Sequence, residues 1–145
     1  MSTPRRLAGD RRPAAAPGTV LVVDDDDDLG DVLRAIFTDA GYAAAVLPNA
    51  RPAAVRAAVD HLEPACVLLD GEGSGEYGAS WEVAAWMRAR GRPVPAVMFT
   101  GDAGAVREAR AGTSARSRLA GFAGVLSKPF DLDELLATVA QAAAA

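Results

Sequence analysis

Asp24 and Asp25 open a run of five aspartates, Asp24–Asp28, directly after the largely β-branched stretch Thr19–Val23. Val20–Val23 has no polar alternation, the pattern of a strand buried on both faces, so the acids begin where that strand must end. Carboxylates grouped this closely repel one another unless a cation or protons relieve them. Three further apolar runs stop in a similar way: Cys66–Leu69 at Asp70, Val94–Phe99 at Thr100, and Phe122–Leu126 just before Lys128. Three carboxylates around a hollow suit Mg²⁺, which takes oxygen ligands and keeps several waters. A carboxylate can also attack phosphorus and hold the phosphoryl group as an acyl phosphate. A divalent cation, an ammonium and a hydroxyl donor neutralise the charge on the oxygens of a group in transfer. Each residue also has a structural explanation. The acids suit a helix start, Asp70 a turn, Thr100 a cap and Lys128 a solvated surface. Their shared position separates the two readings, because ligands of open α/β sheets sit outside the carboxyl ends of the strands.

The elements that must hold these residues follow in chain order. Residues 1–17 are rich in Pro, Arg, Gly and Ala without periodicity and read as a disordered tail; residues 18–145 read as one domain. After the first strand, Leu29, Val32, Leu33, Ile36 and Phe37 recur at helical spacing, with Asp27 or Asp28 as cap and Gly41 as stop. Tyr42–Leu47 is a short strand, and Ala50–His61 a helix with Val55, Val59 and Leu62 on one side and Pro52 in its first turn. The stretch Gly71–Gly78 is loop by composition. Trp81–Arg90 is a helix stopped by Gly91. Ala103–Leu119 is a weak helical region broken at Gly112, with few apolar periodic positions, as expected of low local stability. Leu132, Leu135, Leu136 and Val139 mark a last helix capped by Asp131. Five strands alternating with five helices predict an α/β protein, a doubly wound parallel sheet with right-handed crossovers.

Composition removes several classes. A net charge of -4 argues against sequence-independent nucleic-acid binding. No apolar run approaches membrane-spanning length, and Arg5, Arg6, Arg11 and Arg12 lack the apolar segment of a secretory signal. The single cysteine, Cys66, cannot form an internal disulfide, which fits a cytoplasmic protein, and its apolar surroundings predict an inert buried thiol. Without Cys/His pairs there is no zinc motif, and the lone His61 is expected at the surface.

Four segments, in order, carry a resemblance: Val20-Leu21-Val22-Val23-Asp24-Asp25, Val67-Leu68-Leu69-Asp70, Val97-Met98-Phe99-Thr100-Gly101 and Leu126-Ser127-Lys128-Pro129-Phe130. From residue 19 to residue 143 the chain resembles the CheY-like receiver domain of bacterial two-component response regulators. The resemblance implies a flavodoxin-like five-stranded parallel sheet of order 2-1-3-4-5 with five helices. It implies Asp70 as phosphoacceptor and Mg²⁺ as cofactor. Asp25 would be the direct metal ligand, Asp24 would act largely through water, and the backbone carbonyl of Glu72 would complete the shell. It implies Thr100 and Lys128 as partners of the phosphoryl group, with a cis bond before Pro129. The partners implied are a histidine kinase or histidine phosphotransfer protein upstream and an unidentified protein downstream. The chain would be a stand-alone receiver without output domain, acting by protein–protein contact or phosphorelay rather than as a turnover enzyme.

The departures are specific. Val125 stands where receivers usually carry Tyr or Phe, Ser74 stands where proline is expected, and the loop before Trp81 is a couple of residues longer than usual. The segment Thr100–Lys128 is also longer, the extra falling in Gly104–Leu119 with Arg107, Arg110, Arg116 and Arg118. These departures favour a rival, a phosphorylation-independent protein-binding module, which the complete acid, Thr and Lys set opposes. A Mg²⁺-dependent aspartyl phosphatase is a second rival. Glu72 has the spacing of that class's second acid, but an Asp is expected there, and the acid pair on the first strand favours the receiver.

Overall fold

A computed structural model describes residues 18–70 and 79–144. The tail at 1–17 and the Gly71–Gly78 loop, including Glu72 and Ser74, lie outside the described residues.

Five strands, β1 Thr19–Val23, β2 Ala43–Leu47, β3 Cys66–Asp70, β4 Ala96–Thr100 and β5 Gly124–Ser127, form one sheet in the order β2-β1-β3-β4-β5. Every ladder is parallel. This is the flavodoxin-like order that the resemblance implied. β3 and β4 are buried at every position, and β1 at all but Thr19. The two edge strands are only partly buried. The unalternating apolar runs therefore lie at the sheet centre, where helices cover both faces.

The alternation of side chains splits the core in two. Leu21, Val23, Val67, Leu69 and Met98 pack on one face with Val55, Val59, Val83 and Met87. Val20, Val22, Leu68, Val97 and Phe99 pack on the other with Leu33, Phe37, Leu135 and Val139. Each fully buried Leu, Val or Phe contributes roughly 1.5–3 kcal/mol of apolar transfer.

Six helices are present among the described residues rather than five: α1 Asp27–Asp39, α2 Pro52–Leu62, α3 Ala79–Ala89, α4 Ala103–Ala111, α5 Ala115–Ala120 and α6 Leu132–Ala144. The extra one comes from the region read as weakly helical. Gly112, with φ +68, ends α4, and Ser114 then caps α5 by accepting from the Ser117 amide. The expected low stability of this region is not what its bonding suggests. Glu108 accepts both Arg116 Nε and Nη2 at 2.7 Å and the Ser114 hydroxyl at 2.7 Å, and Arg116 stacks on Trp81 of α3 at 4.1 Å. Polar side chains thus supply what apolar periodicity lacks.

Other boundaries moved for local reasons. The cap of α1 is Asp26, whose carboxylate accepts the Leu29 amide at 3.1 Å; Asp27 and Asp28 occupy the first turn instead. Val32 is 53 % exposed although it matched the apolar spacing. β4 begins after Pro95, which has no N–H for a ladder. β5 begins after Phe122, which turns edge-on to Trp81 at 5.3 Å. Asp131 caps α6 as expected, accepting the Glu134 amide at 2.6 Å. His61 is exposed. Cys66 is buried, and burial pushes its thiol up to about 12. No described helix is long and apolar enough to cross a membrane.

Candidate functional site

The register of the central strands assembles the site. Val23 pairs with Leu69, Asp70 with Phe99, and Thr100 with Ser127. Asp24, Asp70, Thr100 and Lys128 therefore emerge side by side at one edge of the sheet. Asp24 is held twice by backbone. Its amide donates to the Leu47 carbonyl at 3.0 Å, and its Oδ1 accepts the Asp26 amide at 2.9 Å. It is 2 % exposed, Asp70 is 7 % exposed, and Asp25 is open to solvent.

Lys128 joins the two buried acids. Its Nζ lies 3.3 Å from Asp24 Oδ2 and 3.5 Å from Asp70 Oδ2, and 4.6 Å from the centre of the Phe99 ring. The Lys128 amide donates to the Thr100 carbonyl at 2.8 Å, and the Lys128–Pro129 bond is cis, as the resemblance implied. Thr100 is fully buried. Its Oγ1 accepts the Asp102 amide at 3.1 Å, which leaves the hydroxyl proton to donate. Asp102 in turn caps α4, accepting the amides of Gly104 and Ala105. Sequence reasoning missed Ser80, whose buried hydroxyl donates to the Asp70 carbonyl at 2.7 Å. Its only signal was a position just before the expected start of a helix.

Asp24, Asp25 and Asp70 place one oxygen each within 4.8 Å of one another. Opposite oxygens around Mg²⁺ stand about 4.2 Å apart, so this donor set fits the ion with small side-chain adjustments. The charge balance points the same way: three carboxylates face one ammonium, and a divalent cation offsets the excess. Asp27 and Asp28 are exposed on α1 and stand outside this cluster. A cavity of about 420 Å³ beside Asp60 and Arg90 lies at the opposite edge of the sheet, away from these residues.

The response regulator receiver domain model matches residues 20–140. The chain belongs to the receiver-domain family. No curated protein matches it. Among solved structures, it is 30 % identical to a response regulator receiver protein from Burkholderia phymatum, with TM-score 0.68 over 88 % of this chain and 95 % of that one. It is 30 % identical to full-length FixJ from B. japonicum, with TM-score 0.69 over 86 % of this chain and 57 % of that one. The chemotaxis response regulator CheY4 of Vibrio cholerae shares the fold at 23 % identity and TM-score 0.66, over 86 % of this chain and 98 % of that one. Receiver domains bind Mg²⁺ at an acidic pocket, and this receiver carries a cluster of that kind at Asp24, Asp25 and Asp70. Receivers interact in general with histidine kinases or phosphotransfer proteins.

Proposed function

We propose that this receiver takes a phosphoryl group onto Asp70 from a phosphohistidine of a histidine kinase or histidine phosphotransfer protein. An Asp70 carboxylate oxygen attacks phosphorus, the P–N bond breaks, and the imidazole leaves with the bonding pair and takes up a proton. Asp24, Asp25 and Asp70, with the Glu72 carbonyl, are the residues that would hold Mg²⁺. When bound, the ion neutralises charge on the phosphoryl oxygens. Lys128 shifts its ammonium from the bare carboxylate to a phosphoryl oxygen, and Thr100 donates its hydroxyl proton to another. The observation that carries this reading is the ammonium of Lys128 between Asp24 and Asp70, both buried, at the ends of adjacent strands.

In the same reading residues 18–145 form a cytoplasmic receiver domain behind a tail at 1–17. Output passes through contact with a downstream protein or onward phosphotransfer. The test is acyl-phosphate formation from acetyl phosphate with Mg²⁺. Asp70→Asn should abolish the hydroxylamine-labile product; an undiminished rate in that variant would refute the assignment.

One observation favours a phosphorylation-independent module. Val125 is half-buried against the core, and its carbonyl accepts Arg110 Nη2 at 3.3 Å. A short β-branched side chain so placed has no ring to rotate into space vacated by Thr100. If a beryllofluoride mimic with Mg²⁺ leaves every amide shift unchanged, the module reading replaces the receiver switch.

A further inference from the structure

Where β4 and β5 begin, at the sheet edge opposite Asp70, the end of α3 and the short helix α5 flank two adjoining cavities. They share Arg88 and Gly121. One, about 200 Å³, is largely apolar, lined by Pro93, Val94, Pro95 and Ala120. The other, about 390 Å³, is lined by Arg118, Ala109 and Phe122. Arg88 lies across Gly121, whose φ is +53 and whose missing Cβ makes the room; a Cβ there would stand 2.6 Å from Arg88 Cδ. Both guanidinium groups are anchored by backbone. Arg88 Nη1 donates to the Arg118 carbonyl, and Arg118 Nη1 to the Thr113 carbonyl. Each guanidinium has five N–H donors, and both side chains are exposed, so donors remain for a ligand.

The stretch from residue 101 to 123 is basic although the chain is not, and the acids of the cavity adjoining at Pro93 and Val94, Asp60 and Glu63, are paired with Arg90 and Arg92. Arg107 and Arg110 are exposed on α4. The acids between residues 101 and 123 are Asp102 and Glu108, and both are engaged, one as a helix cap and the other by Arg116. Leu119, on the same short helix, is 66 % exposed.

The geometry points to a docking groove for a segment of a partner protein that carries carboxylates beside an apolar side chain. Arginine forks held in place pair with carboxylates bidentately. The proline- and alanine-lined cavity takes the apolar group beside them. A second copy of this chain fits less well. Its densest exposed acidic run, Asp25–Asp28, lies at the Asp70 edge, so a head-to-tail contact through it would cover that site and propagate without closing. Two side-chain-sized cavities also do not form the continuous basic track that a nucleic-acid backbone follows. A partner seated here leaves the Asp70 edge open to a phosphoryl donor.

The test pans a random dodecapeptide phage library on the intact protein and measures the enriched peptides by fluorescence anisotropy. The expected peptides carry Asp or Glu next to Leu, Ile or Phe. Their affinity should fall with salt and drop about tenfold or more in Arg118→Glu. Arg34→Glu, the same charge change on α1, should leave it unchanged. Arg118→Gln, with its melting curve checked against the wild type, repeats the test with a milder substitution. Enriched peptides without acids, or binding indifferent to both Arg118 variants, would overturn the proposal. So would self-association in sedimentation, or duplex-DNA binding at physiological salt, if Arg118→Glu abolishes it.

Discussion

Asp24 and Asp25 are neighbours in sequence but not in environment. One is buried, tied to the Leu47 carbonyl and the Asp26 amide and paired with Lys128; the other is open to solvent. Asp25, on the open side, is the carboxylate that would be best placed to replace a water of a hydrated cation. Asp25→Ala should weaken Mg²⁺ binding by about tenfold or more, while Asp27→Ala and Asp28→Ala change it little. Titration followed by amide shifts decides this. Equal losses at Asp27 or Asp28 would mean that the ion is held on α1 instead. The gathering of these residues at one edge was legible in the sequence because strands buried on both faces leave an unalternating apolar run whose end is visible. Ser80 was not legible, since its bond to the Asp70 carbonyl depends on how α3 returns to the sheet. Ser80→Ala leaves that buried carbonyl without this donor and should cost roughly 1–2 kcal/mol in denaturant unfolding without removing the acceptor chemistry.

At the scale of elements, the pair α4 and α5 was half readable. Gly112 marked the break, but the joint between the helices is built from Glu108, Ser114 and Arg116, whose meeting no periodicity announces. Hydrogen bonds from Arg116 and Ser114 hold the Glu108 carboxyl down at about 2. A carboxylate whose folded value is depressed contributes stability that is present above its unfolded value, near 4.5, and lost as pH falls toward 2. Glu108→Gln should therefore be less stable than the wild type near neutrality, and the gap should close as pH falls through that window. Denaturant unfolding across the range measures it; a gap independent of pH would mean that the carboxylate charge contributes nothing. The same pair of helices is the route outward that the proposed reaction would use. Thr100 Oγ1 now accepts the amide of Asp102, the residue that caps α4. A Thr100 turned toward a phosphoryl oxygen would release that amide and loosen the cap. A beryllofluoride mimic with Mg²⁺ should accordingly change amide exchange chiefly in residues 101–120 and little at Val125. A response confined to residues 122–126 would contradict this route.

For the whole molecule, composition and the alternation of apolar runs were enough to predict an α/β sheet with helices on both faces, because β1, β3 and β4 are buried throughout their apolar runs. The strand order came with the family resemblance, since ladder pairing joins segments far apart in the chain. The core offers its own probe of global opening. Cys66 sits on the central strand β3 with its thiol pushed up to about 12 by burial, so little thiolate forms near neutral pH. Native protein should resist alkylation at rates that a free thiol does not, and react fully in denaturant.

The proposed reaction makes one bond, an acyl phosphate at the end of β3, and that bond can be located chemically. Incubation with acetyl phosphate and Mg²⁺, followed by borohydride reduction and peptide mass mapping, converts an aspartyl phosphate to homoserine at the phosphorylated position. The site described here predicts homoserine at position 70 alone, dependent on Mg²⁺. An unmodified Asp70, or homoserine at position 24 or 25 instead, would contradict it.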